Sequence, residues 1–333
     1  MKFLPIKQIL NLNPVVLGLG ISGTLLFGLL IQVYLLDRFT VIFGPVGTPH
    51  DDFRIAVFHC LLAGYLPGAY LFLLRGTRNT VDELEKILKP AEDPSCMDYS
   101  TLRLGKRALI ISGLIGLLGA VLIPHLTTPS PWDPSTWNPE VWWHRVLGLF
   151  IGLCFAWLCL AVWNTSTITS RLAARIDSLD LLDMTPLSPF VNQGLLTALL
   201  MIGLVSLFSL FLLEPEHAVV VAILVGLCLP LALLSLWLPV RGVHQRICEA
   251  KQAELKWTRE RIQQSRTLLH SDSPDVSAGR MADLSAYHQL IEDVPGWPFK
   301  SATVLRVMLY LLIPVASWLG GLLIEGVLDQ LFM

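Results

Sequence analysis

The chain has 333 residues, 53% of them hydrophobic and only 15% charged, a balance that fits a polytopic membrane protein and excludes an ordinary soluble domain. The formal net charge of −2 supplies no field to recruit nucleic acid, and no RNA- or DNA-binding pattern occurs, so no nucleic-acid partner is expected. None of the six cysteines has a CxxC partner; they read as buried small hydrophobes rather than as a disulfide framework.

The N-terminal stretch begins with Lys2 and Lys7 and runs into an apolar segment too long for a signal-peptide core, with no A-x-A site after it. It reads as a retained signal anchor. The expected fold class is all-α, a single integral membrane domain over 1–333 with seven transmembrane helices near 14–36, 54–74, 108–125, 142–163, 193–213, 217–240 and 303–326. Each run covers a hydrocarbon core of about 30 Å at 1.5 Å per residue. Backbone groups in lipid must pair within the segment, and no run shows the alternation of a barrel strand.

Between the spans, 76–106, 164–192 and 241–302 read as cytoplasmic helical segments that make a collar under the membrane. TVDE at Thr80–Glu83 has capping-box spacing and predicts the start of a short helix. After span four, Ile168, Leu172, Ile176, Leu179 and Leu182 keep helical spacing until Pro186 and Pro189. Cys248, Leu255, Ile262 and Leu269 recur every seven residues through a strongly charged stretch. This is half a coiled-coil seam, read as an amphipathic helix packed on its neighbours with self-association as the alternative. The segment 241–296 is also the expected docking surface for a cytoplasmic protein partner.

Lysine and arginine orient the spans. With the N-terminus in the cytoplasm and the C-terminus outside, 21 of the 24 fall on the inner side, leaving Arg38, Arg54 and Arg145 outside. Trp132, Trp137, Trp142 and Trp143 suit the outer headgroup belt. The phrases DLLDMTPLSPFVNQGL and PGWPFK, just before spans five and seven, resemble those of a family of uncharacterised bacterial inner-membrane proteins. That resemblance covers the C-terminal half, implies a location in the bacterial cytoplasmic (inner) membrane, and carries no activity. The layout alone is similar to that of insect odorant and gustatory receptor channels, whose last helix lines the pore.

Span interiors carry no Asp, Glu, Lys or Arg, which argues against ion-coupled carriers and proton pumps. The last span is different, since Arg306, Tyr310, Pro314, Ser317, Gly321, Glu325 and Asp329 share one side of a helix. In a homo-oligomer that side could line a path for small ions, with carboxylates at the outer mouth; small residues there also serve plain helix packing. Arg38, Asp51, Asp52, Arg54, His59 and Arg145 are candidates for an outer pocket for an anionic or zwitterionic ligand, with Asp37 and Glu140 as neutralising partners. His50, His59, His125, His144 and His217 lie near the outer face without any fixed ligand spacing, so no metal and no cofactor is expected, and a metal or haem redox role trails. GxSxG, GxGD and glycine-rich phosphate loops are absent from the sequence, and no enzyme activity is expected. Three functions follow in order: a homo-oligomeric channel or receptor, a non-conducting anchor or sensor that docks a partner, and an intramembrane redox protein.

Overall fold

The computed structural model describes residues 13–42, 49–84, 104–126, 131–173, 175–176, 179–209, 218–268 and 274–298, together with 305–306, 309–310, 312–314, 316 and 319–320. Among them are seven α-helices: α1 Pro14–Leu35, α2 Pro49–Leu84, α3 Lys106–Leu122, α4 Pro139–Ala173, α5 Ser188–Ser209, α6 Ala218–Leu268 and α7 Pro274–Glu292. The described chain is all-α, and six of these helices, α1 to α6, are long and apolar enough to cross a membrane. The expected crossing at 303–326 lies for the most part outside the described residues.

Local chemistry sets the starts. The Asn13 side chain accepts a hydrogen bond from Val15 N at 3.0 Å, and Pro14 occupies the first turn of α1, where its missing N–H costs nothing. Asp133 accepts from Ser135 N at 3.0 Å and Ser135 Oγ at 2.7 Å, fixing a short 3-10 turn ahead of α4. Those hydrogen bonds hold the Asp133 carboxyl below the usual carboxylate range.

Four helices make the central bundle. α2 packs on α4 and α5, and α6 closes the ring by packing on both α5 and α4. Leu66, Leu73, Leu158, Met201 and Leu204 fill its centre with no exposed surface. α1 lies on α2 and α3 on α4, their outer faces showing Leu19, Phe27, Ile110, Leu114 and Ile115. Lipid provides no hydrophobic drive between helices, so close backbone approach carries much of the cohesion. A Cβ on Gly152 of α4 would sit 2.6 Å from Gly116 O of α3, a contact that only glycine permits.

Helices α2 and α6 run past the bundle. Thr80 does not start a new helix, because α2 continues to Leu84. Its hydroxyl instead donates to Gln193 Oε1 at 3.2 Å, while Gln193 Nε2 donates to Thr77 Oγ1 at 2.7 Å, a buried link between α2 and α5. α4 stops at Ala173, ahead of the helix expected to reach the prolines. At that end Arg175 N donates to Leu172 O at 3.0 Å, tightening the last turn, and further on the Asp180 and Asp183 side chains accept from Leu182 N at 2.8 Å and Thr185 N at 3.0 Å, favouring turns over a resumed helix. Pro189 starts α5 rather than ending α4. The apolar positions Ile176, Leu181 and Leu187 are still buried, in a second core with Leu84, Phe190, Ile247 and Ile291.

α6 spans 51 residues, about 76 Å at 1.5 Å per residue. α7 folds back along its distal half. Leu255 and Tyr287 pack on the second core, and Thr258 Oγ1 meets His288 Nδ1 at 2.8 Å between the two helices. Of the seven-residue seam, Leu255 thus packs within the chain, while Leu269 lies outside the described residues. At its root, Lys251 Nζ donates to Glu292 O at 2.7 Å and Val294 O at 2.8 Å, capping the end of α7. His244 stacks on Trp297 with ring centroids 4.0 Å apart, and its Nδ1 donates to Gly296 O at 2.7 Å. The PGW turn is thereby held against α6.

Candidate functional site

α2 and α4 run parallel, and their N-terminal ends lie together beside the end of α1. Asp51 and Asp52 occupy the first turn of α2, and Glu140 the first turn of α4. Carboxylates are favoured there, because the unpaired N–H groups of a helix start carry positive partial charge. Asn138 Nδ2 donates to Asp52 Oδ2 at 3.4 Å, joining the two starts.

Arg38 reaches the same place by a backbone device. After α1, Asp37 N donates to Tyr34 O at 3.2 Å and Arg38 N to Val33 O at 3.0 Å, the paired bonds of a Schellman ending. Asp37 takes the left-handed position, φ 52°, which is usually glycine's. The reversal aims Arg38 at α4, where its Nη2 lies 3.3 Å from Glu140 Oε2. Glu140 has no exposed side-chain surface, whereas Arg38 keeps 26%. Neither Glu140 oxygen accepts a hydrogen bond from the described residues, so this carboxylate relies on a charge pair alone.

The rest of the cluster surrounds that pair. Arg145 lies within electrostatic reach of Asp52, its guanidinium 5.9 Å from the centre of the Trp132 ring. Trp137 stands edge-on to Trp142 at 4.5 Å. Trp143 Nε1 donates to Gln32 Oε1 of α1. One to two turns deeper, His59 of α2 faces His144 of α4 with ring centroids 5.8 Å apart. His59 Nδ1 donates to Ile55 O at 2.8 Å. A carbonyl only accepts, so that nitrogen carries hydrogen and Nε2 holds the lone pair of the neutral ring. Further along both helices from the pair the lining turns apolar, with Leu62, Ala63 and Leu66 of α2 and Ile151 of α4 in one buried cluster. The polar cluster is a dead end.

Of the outer candidates, Arg38, Asp52, His59 and Arg145 are thus gathered with Glu140 and His144, and Asp51 joins them through its charge on Asp52. Arg54 is half-buried on α2. His125 ends the 3-10 turn after α3; the His50 side chain and His217 lie outside the described residues. Among the described residues no three of His, Cys, Asp and Glu form a group that could hold a metal ion. Of the last-span candidates, Arg306 is exposed and Tyr310 and Pro314 are half-buried; Ser317, Gly321, Glu325 and Asp329 lie outside the described residues. Leu305, Leu309, Leu312 and Leu319 are exposed, so around Tyr310 and Pro314 the hydrophilic side is the better covered one.

Sequence reasoning missed the root of the hairpin. His244, Cys248 and Lys251 follow one another at i, i+4 and i+7 on α6, a one-sided polar stripe, and that spacing was the available signal. It also missed the weight of Glu140, which no pattern distinguishes from any other interfacial acid.

Comparison with protein-family models, with curated proteins and with solved structures gives no match.

Proposed function

We propose that this chain is a membrane-embedded, non-conducting sensor or anchor whose α6–α7 hairpin docks a cytoplasmic protein. One observation carries the reading: α6 passes as one continuous helix from a membrane-crossing segment into the hairpin, so the two ends of the molecule share one element. The hairpin face away from the second core exposes Trp257, with Arg261 5.7 Å from its ring centre, an aromatic and arginine pairing typical of binding surfaces.

The placement in the bilayer is part of the proposal. Trp142 and Trp163 on α4 are both exposed and stand about 32 Å apart at 1.5 Å per residue, one hydrocarbon thickness. Arg241, 4.9 Å from the centre of the Trp237 ring, marks the same boundary on α6 as Trp163 does on α4. The lysine and arginine distribution supports the hairpin side as cytoplasmic, with seven spans and an external C-terminus.

The alternative, a homo-oligomeric channel lined by Tyr310, Ser317, Gly321 and Glu325, finds less support. The bundle centre is filled by leucine and methionine, so a path would have to run between copies. The covered hydrophilic side around Tyr310 and Pro314 also fits packing on the chain itself. Full-length protein purified from its native membrane should carry a stoichiometric cytoplasmic protein that Trp257→Glu removes while the fold stays intact. Purification of a lone chain, together with cation flux through reconstituted vesicles, would overturn the reading in favour of the channel.

A further inference from the structure

The His59–His144 pair sits at the floor of the polar cluster, and the sensor reading so far leaves it without a task. Glu140 is fully buried and accepts no hydrogen bond among the described residues. Its counter-charge among the described residues, Arg38, comes from another segment and is partly in water. His144 is buried one helical turn further along α4, on the same face as Glu140. A buried acceptor lacking a donor is costly, and the nearest side chain on its own helix that can gain a donor by taking up a proton is this imidazole.

We propose that the His59–His144 pair binds one proton from the water at this end of the bundle, and that protonated His144 then competes with Arg38 for Glu140. The site is a proton-binding site, and it gives the sensor reading, on which it rests, its input. Imidazole is the side chain that changes charge between about pH 5 and 8. The charges around the pair are Arg38 from the turn after α1 and Arg145 from α4, against Asp51 and Asp52 from α2 and Glu140 from α4; Arg54 lies on the same turn of α2. Neutral His59 carries its hydrogen on Nδ1, which donates to Ile55 O, and so its lone pair on Nε2. With ring centres 5.8 Å apart, a second proton meets the charge of the first, so the pair takes one proton through this window. His144 is favoured for it because Glu140 is its neighbour. Asp133, kept ionised by Ser135, does not change charge there. The apolar residues past the pair, Leu62, Ala63 and Ile151, leave the proton bound rather than passed on.

The consequence is an exchange of partners. At high pH, Arg38 ties the turn after α1 to α4; at low pH, Glu140 is satisfied within α4 and Arg38 turns to water. Histidine-labelled full-length protein in nanodiscs tests this by nitrogen-15 resonance, with H59Q and H144Q assigning the two signals. His144 should titrate between about pH 5 and 8, and E140Q should lower its midpoint by about 1 pH unit. A His144 midpoint unmoved by E140Q, or a ring neutral down to pH 5, overturns the proposal. A second measurement does not depend on E140Q folding. The drop in thermal midpoint caused by R38Q should be at least halved on going from pH 8 to pH 5.5; an equal drop at both overturns the exchange. Both readouts concern the proton alone, so a missing cytoplasmic partner would sink the docking reading and leave this one standing.

Discussion

Replacing Arg38 by glutamine strands the Glu140 carboxylate inside the protein. At 3.3 Å the Coulomb attraction is about 5 kcal/mol for an effective dielectric near 20. The guanidinium keeps 26% of its side-chain surface, so part of that is returned when the arginine is lost. Removing one partner of a buried pair costs about 3–5 kcal/mol, and the partly wet arginine puts R38Q near the lower end, about 3 kcal/mol. E140Q removes the buried charge itself, so the double variant R38Q/E140Q should return to within about 1 kcal/mol of the parent. The assay is reversible unfolding in mixed micelles of rising dodecyl sulfate fraction at pH 8, followed by helical circular dichroism. A loss under about 1 kcal/mol for R38Q, or a double variant as unstable as the two single losses combined, refutes the view that a desolvated carboxylate is at stake.

Two further outcomes follow from backbone geometry. Asp37 holds a left-handed φ of 52°, so Asp37→Gly should stabilise by about 0.5 kcal/mol, relief of strain outweighing the entropy of glycine, whereas Asp37→Val should cost about 2 kcal/mol and loosen the Arg38 contact; the same unfolding assay reads both. Gly152→Val should force α3 off α4 and cost about 1–3 kcal/mol, while Gly119→Ala, where a Cβ meets nothing within 4 Å, should be neutral or slightly stabilising.

The spans were legible because lipid leaves the backbone a single option. Six of the expected crossings fall on α1 to α6, and the helix content follows from apolar length alone. What misled was local pattern outside the membrane. TVDE has the spacing of a helix start, yet Thr80 is buried mid-helix and bonded to Gln193, a tertiary contact that no window of sequence displays. Ile168, Leu172, Ile176 and Leu182 keep helical spacing, yet the helix ends at Ala173 and Asp180 and Asp183 offer their carboxylates to the backbone further on, where turns form in its place. For the site, single residues were readable as charges that break the orientation rule. Their grouping at one end was readable too; which acid Arg38 meets was not, because that depends on α2 and α4 lying parallel and on one left-handed aspartate turning Arg38 back.

Helix α6 has a mechanical consequence. In the proposed placement the rod continues from Trp237 to Leu268 for about 46 Å at 1.5 Å per residue. A tilt of about 10° carries the hairpin tip sideways by about 8 Å, more than the same tilt moves the shorter embedded half. Pro239, which leaves one rung of the ladder unmade just past Trp237, sits where such a lever has its fulcrum.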